Sequence, residues 1–127
     1  MLCEIAQRIG RHLRPFDLVA RYGGEEFVVV MPETSLAVAT AVAERLRHAV
    51  ADELVFTPDA TTGTHVSISI GVAATLEGRN DTTAALLKRA DDALYAAKRL
   101  GRNRVMASPD SADLRPIASV TVLKTAG

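Results

Sequence analysis

Residues 21–27 read Arg-Tyr-Gly-Gly-Glu-Glu-Phe. Gly23 and Gly24 carry no side chains, so backbone N–H groups there can approach a phosphate closely. Glu25 and Glu26 come next in the chain. Two carboxylates beside a phosphate repel it unless a cation lies between them. Mg²⁺ resolves that conflict, because it takes hard oxygen ligands and shares them with substrate phosphates. A plain hairpin with exposed charges accounts for the same residues equally well, since Gly-Gly turns are common.

Two further groupings can bind anions or bases. Lys98 and Arg102 stand four apart near the end of an apolar-periodic stretch, a spacing that lets both reach one anion. Ordinary cations complementing a helix C-terminus would look the same. Arg14-Pro15-Phe16-Asp17 pairs a guanidinium with a carboxylate three residues on, and taken alone a local ion pair is its default reading. His12, His48 and His65 are scattered without zinc spacing. The single Cys3 cannot form an internal disulfide, which fits a reducing cytoplasm.

The elements that must position these residues are set by apolar periodicity. Leu2, Ile5, Ala6, Ile9 and Leu13 fall at helical spacing, and Pro15 ends that helix. Residues 17–22 and 26–31 read as two strands joined by the Gly-Gly turn, the second a β-branched run suited to burial on both faces. Thr34 or Ser35 can cap a helix over 36–52, and 53–64 reads as a loop or a ragged hairpin. Val66, Ile68, Ile70 and Val72 alternate with small residues as a strand. After a turn at 77–81, a helix capped by Asp81 or Thr82 runs to about Leu100, with Gly101 at its C′ position. Residues 103–107 make a short last strand. From Ser108 onward Pro, Ser and Asp mark a flexible tail, and Val120-Thr121-Val122-Leu123 has β character but no evident partner.

The order is α-β-β-α-β-α-β, an α/β (α+β) pattern with a mixed sheet. A ferredoxin-like βαββαβ core fits if one strand precedes the first helix. The 127 residues allow one domain. With 15 Lys+Arg against 15 Asp+Glu, no global nucleic-acid surface is expected. No apolar run is long enough for a membrane segment, and the first residues carry no basic stretch followed by an apolar run, so no signal peptide is expected. Aromatics are 4% of residues, so the core must come from Ala, Val, Leu and Ile.

Taken together, the motifs resemble the GGDEF family, the diguanylate cyclases, in the Gly-Gly-Glu-Glu-Phe form of its signature. The resemblance also covers Ser67-Ile68-Ser69-Ile70-Gly71-Val72, Leu87-Lys88-Arg89-Ala90-Asp91, Tyr95-Ala96-Ala97-Lys98 and Gly101-Arg102-Asn103, in family order over about residues 1–107. It implies a polymerase-palm-like fold that condenses two GTP into cyclic di-GMP with release of pyrophosphate, using Mg²⁺ or Mn²⁺. Gly23 and Gly24 then resemble the glycines against which the GTP phosphates lie. Glu25 resembles the metal-binding catalytic carboxylate, and Glu26 the fourth motif position needed for activity and for metal or nucleotide positioning. Lys98 and Arg102 resemble the residues that hold the distal phosphates. Arg14 and Asp17, with Arg45 from the next helix, resemble the inhibitory site that binds cyclic di-GMP. Because each domain binds one GTP, a second GGDEF domain, as in a homodimer, is implied. The location implied is cytoplasmic.

The resemblance also implies a strand ahead of the first helix. It would carry a metal-binding Asp, and the stretch after it a Lys and the polar residues that recognise guanine. Met1 aligns inside the first family helix, so the expectation is a GGDEF domain over 1–107 that lacks its first strand, with a flexible tail over 108–127. Its metal site is then incomplete and its cyclase activity weak or absent. The alternative is a fragment that senses cyclic di-GMP through Arg14, Asp17 and Arg45 without making it.

Overall fold

The computed structural model describes residues 2–22, 25–51, 54–55, 64–76, 82–108 and 116–126. Helix α1 covers Leu2–Gly10, and strands β1 (Leu18–Arg21) and β2 (Glu26–Pro32) come after it. Helix α2 covers Leu36–Ala51, with the two-residue strands β3 (Leu54–Val55) and β4 (Thr64–His65) next. Strand β5 (Ser67–Leu76), helix α3 (Thr83–Arg99), β6 (Val105–Ala107) and β7 (Pro116–Ala126) complete the chain. Strands β3 and β4 pair antiparallel, as a ragged hairpin would. The turn expected at 77–81 lies outside the described residues.

The main sheet has five strands in the order β1-β2-β7-β5-β6. Only β5 and β6 run parallel; the other neighbours are antiparallel. Period-2 alternation sorts the side chains onto two faces. Phe27, Val29, Met31, Ile68, Ile70, Val72 and Leu123 face α1 and α2, where they meet Ile5, Ile9, Ala39, Ala43, Leu46 and Val50. Val28, Ala73 and Val122 face α3 and meet Leu86, Ala90 and Leu94. The apolar run of β2 is thus buried on both faces, as its composition predicts.

Strand β7 corrects the sequence reading. Residues 116–126, expected within a flexible tail, form the central strand of the sheet. Glu26 to Pro32 pair with Lys124 back to Ala118, and Ser67 to Leu76 pair with Ala126 back to Pro116. The place expected to lie empty for want of a first strand is therefore filled from the C-terminal end. The physical reason is two-sided. Without β7, β2 and β5 would each expose a row of unpaired N–H and C=O groups. The run Val120-Thr121-Val122-Leu123 holds three β-branched residues and puts apolar side chains on both faces, so it suits a central position. Val122 is buried in the layer facing α3 and Leu123 in the layer facing α1 and α2.

Local capping fixes where the helices start and stop. Ser35 caps α2 by accepting from the Val38 N–H at 3.2 Å, and Thr82 caps α3 by accepting from the Ala85 N–H at 3.0 Å. At the other end of α3, Gly101 takes φ +123°. The Arg102 N–H reaches the Ala97 carbonyl at 3.0 Å and the Gly101 N–H reaches that of Lys98 at 3.4 Å, a Schellman closure. Gly71 allows α3 to lie directly on β5. A Cβ there would collide with the Ala90 carbonyl oxygen and the Leu94 backbone nitrogen.

Candidate functional site

The β1–β2 hairpin brings the signature to one end of the sheet. The Tyr22 N–H donates to the Glu26 carbonyl at 2.7 Å, closing the hairpin next to the turn. Gly23 and Gly24 lie outside the described residues. Glu25 is exposed in the turn. Glu26 is half-buried and continues the row of Val28 and Val30 on the face that α3 covers. Beside it, Tyr22, Leu87, Asp91 and Val122 line a small notch between hairpin, helix and β7.

Register decides what else meets Glu26. Lys124 of β7 stands opposite Glu26 on one side and opposite Ser69 of β5 on the other. All three share the α3-facing side, because Val122 and Gly71, two residues along, pack there. Lys98 lies in the last turn of α3 over this row. Its ammonium holds its proton less tightly than an ordinary lysine, first because burial removes water and next because Lys124 is close. Glu26 opposes that shift, Arg102 adds to it, and Asp91 opposes it. Lys98 and Arg102 are thus electrically coupled. Arg102 stands just past the helix end, as Gly101 at the C′ position implies, with φ +63°.

These described residues do not fit a complete divalent-metal site. Among them, no group of three His, Cys, Asp or Glu side chains is placed to hold an ion. The central strand puts Lys124, a cation, beside Glu26. An ammonium group at that position favours an anion there over Mg²⁺ or Mn²⁺. No chemical step is therefore derived through a metal.

A second site lies across the sheet. Arg14, Asp17 and Arg45 line one cleft of about 390 Å³, together with His12, Thr34 and Val38. The elements that supply them are the turn after α1, the loop after β2, and α2. Asp17 is bound bidentately: Arg14 Nη2 meets its Oδ1 at 2.9 Å and Nε meets Oδ2 at 3.1 Å, while the Arg14 backbone N–H donates to Oδ2 at 2.8 Å. The Asp17 side chain is 2% exposed and that of Arg14 42%. The acid is therefore enclosed and the guanidinium presents an open flank. Arg14 also lies 4.5 Å over the Phe16 ring and donates Nη2 to the Thr34 hydroxyl at 2.5 Å. Its pKa is raised, chiefly by the Asp17 hydrogen bonds and against the opposing effect of burial. Thr34 was expected only as a possible helix cap. Its hydroxyl donates to the Pro32 carbonyl at 2.9 Å and steers Arg14, a role that a separation of 20 residues hides in the sequence.

Lys88 and Arg89, neighbours on α3, sit in different surroundings. Lys88 pairs with Asp92 at 3.4 Å in the open. Arg89 instead donates to the Ala74 carbonyl at 3.0 Å and ties α3 to β5.

The sequence profile of the family described as "Diguanylate cyclase, GGDEF domain" matches residues 1–104. The chain belongs to the GGDEF family. Response regulator PleD of Caulobacter vibrioides is 49% identical over 106 residues, which are 84% of this chain and 23% of that protein. Diguanylate cyclase DgcM of Escherichia coli is 44% identical over 108 residues, 85% of this chain and 25% of that protein. The chain thus spans about a quarter of the length of these curated relatives. Among solved structures, the GGDEF domain of DgcB from Caulobacter crescentus in complex with c-di-GMP superposes with TM-score 0.74 at 35% identity, covering 82% of this chain and 60% of that one. The active GGEEF domain of a diguanylate cyclase from Vibrio cholerae gives TM-score 0.74 at 33% identity, with 87% and 67% covered. The GGDEF fold carries the α+β, palm-like sheet expected from the motifs. The family match ends at residue 104, so β7 in the middle of the sheet lies outside it. Among the described residues, no helix is long and apolar enough to cross a membrane.

Proposed function

We propose that this GGDEF domain is a diguanylate cyclase domain that takes GTP at the hairpin edge and cyclic di-GMP in the Arg14–Asp17–Arg45 cleft. The observation that carries the reading is the signature hairpin itself: Glu25 in its turn and Glu26 at the start of β2 stand at one end of the sheet, with Lys98 close to Glu26. In this reaction the 3′-oxygen of one GTP attacks the α-phosphorus of another. The bond to the β-phosphate breaks, pyrophosphate leaves, and the 3′-hydroxyl proton goes to solvent or a carboxylate. Repeating the step with the roles exchanged closes the ring and releases a second pyrophosphate. Two domains must face each other, so the partner is a second copy or another GGDEF domain, in the cytoplasm where GTP is available. Lys98 and Arg102 offset the phosphate charge, and catalysis rests on positioning and electrostatics. In the cleft, the open flank of Arg14 can stack on or donate to a guanine base, with Arg45 meeting phosphate.

The test is GTP turnover by the purified chain, with product resolved by chromatography. Cyclic di-GMP should form slowly, with two pyrophosphates released per ring, and Glu25→Gln and Glu26→Gln should abolish both. GTP binding without any product at high chain concentration would overturn the cyclase reading. That outcome belongs to the second reading, a cyclic di-GMP sensor, which the cation Lys124 beside Glu26 favours. Calorimetry would then show cyclic di-GMP binding that Arg14→Ala removes.

A further inference from the structure

We propose that Lys124, delivered by the central strand β7, is a phosphate-binding residue of the hairpin-edge site, and that with Lys98 it supplies the positive charge that holds a nucleoside triphosphate there without a divalent ion. The inference rests on the GTP site proposed above and adds a residue and a charge source to it. Three observations carry it. First, register fixes Lys124 in one cross-strand row between Glu26 and Ser69, on the face that α3 covers. Directly opposed residues place their Cβ atoms about 5 Å apart, so a lysine stem reaches across either neighbour. Second, Ser69 is 1% exposed and its hydroxyl has no hydrogen-bond partner. A buried hydroxyl without a partner costs stability, and a ligand oxygen or the Lys124 ammonium would satisfy it. Third, Lys98 and Lys124 repel each other across this row, and Arg102 adds to the repulsion. Like charges held together in the free protein are relieved when an anion lies between them.

Glu26 and Asp91 also face this region and oppose part of that repulsion. A purely structural Lys124 would do no more than pair with Glu26 across the strands. The two roles separate in binding. A phosphate ligand draws on Lys124 directly, so its loss changes affinity and salt dependence; a structural ion pair changes only stability.

The experiment measures binding of GTP and of inorganic triphosphate by calorimetry, each in EDTA and in Mg²⁺, to the full chain and to Lys124→Ala, Lys124→Gln and Lys124→Arg. Binding of triphosphate in EDTA is expected. It should weaken about tenfold or more in Lys124→Ala and recover in Lys124→Arg, as for loss of one charge-assisted hydrogen bond. The slope of log affinity against log salt should fall by about one, the loss of one ionic contact. Lys124→Gln keeps the stem and is scored the same way if Lys124→Ala fails to fold, with thermal unfolding as the check on both. Binding that requires Mg²⁺, or that is equal in wild type and Lys124→Gln, overturns the inference while leaving the GTP site standing. Binding of inorganic triphosphate but not of GTP, still lost with Lys124, upholds the anion site and overturns the GTP reading instead.

Discussion

Replacing Leu123 by alanine tests whether the C-terminal segment is a strand or a tail. Leu123 is fully buried on β7, opposite Phe27 of β2 and Ile70 of β5, in the layer beneath α1 and α2. Truncating a buried leucine loses its transfer free energy and leaves a cavity, together about 2–5 kcal/mol. The neighbours are themselves in two rigid strands, so the site cannot collapse freely, and we expect about 3 kcal/mol. With a urea m-value of about 1.5 kcal/mol per M for a domain of this size, the midpoint falls by about 2 M. Urea unfolding monitored by circular dichroism measures it. Leu18→Ala, on the exposed strand β1, should change stability by about 0.5 kcal/mol or less and serves as the comparison. If Leu123→Ala matches Leu18→Ala, β7 does not fill the sheet and the reasoning about Lys124 falls with it. Removal of residues 108–127 should go further. It opens both ladders at once and should abolish cooperative unfolding.

Three other outcomes are expected. Gly71→Ala forces a methyl group into the backbone of α3 at Ala90 and Leu94 and should cost about 3 kcal/mol or more, read as a lowered urea midpoint. Arg14→Ala should weaken cyclic di-GMP binding at least tenfold by calorimetry. It should also lower stability by about 1–2 kcal/mol because the enclosed Asp17 carboxylate loses its bidentate partner, whereas Arg45→Ala should affect binding alone. Lys98 has a folded pKa below its ordinary 10.5, so the unfolded chain binds the extra proton between those two values. Stability contributed by Lys98 should therefore rise with pH across that alkaline window, and triphosphate affinity should fall across it. Lys98→Met should flatten both profiles; an unchanged binding profile in that variant would place the phosphates elsewhere.

Local signals in the chain were enough for every element that depends on its neighbours in sequence. Apolar spacing located α1, α2 and α3 within a few residues of their ends, Thr82, one of two expected caps, and Gly101 bounded α3, and the two glycines marked the hairpin. The family resemblance, not spacing, named Arg14, Asp17 and Arg45, which line one cleft. What stayed hidden were pairings across long stretches of chain. Thr34 turns Arg14 by a contact that no periodicity encodes. Lys124 looked like part of a tail because β character without a nearby partner gives no address.

The amino-acid sequence by itself determined that this chain is a GGDEF domain, because the hairpin, the capped helix and its closing glycine are local and their chemistry is written in adjacent residues. Only the tertiary structure decided what stands at the centre of the sheet. A strand is placed by whichever backbone edges are left unpaired, and β2 and β5 left two. Filling that gap with residues 116–126 satisfied both edges. It also set a lysine beside the second glutamate of the signature, which changes the charge of the site without altering a residue of the motif.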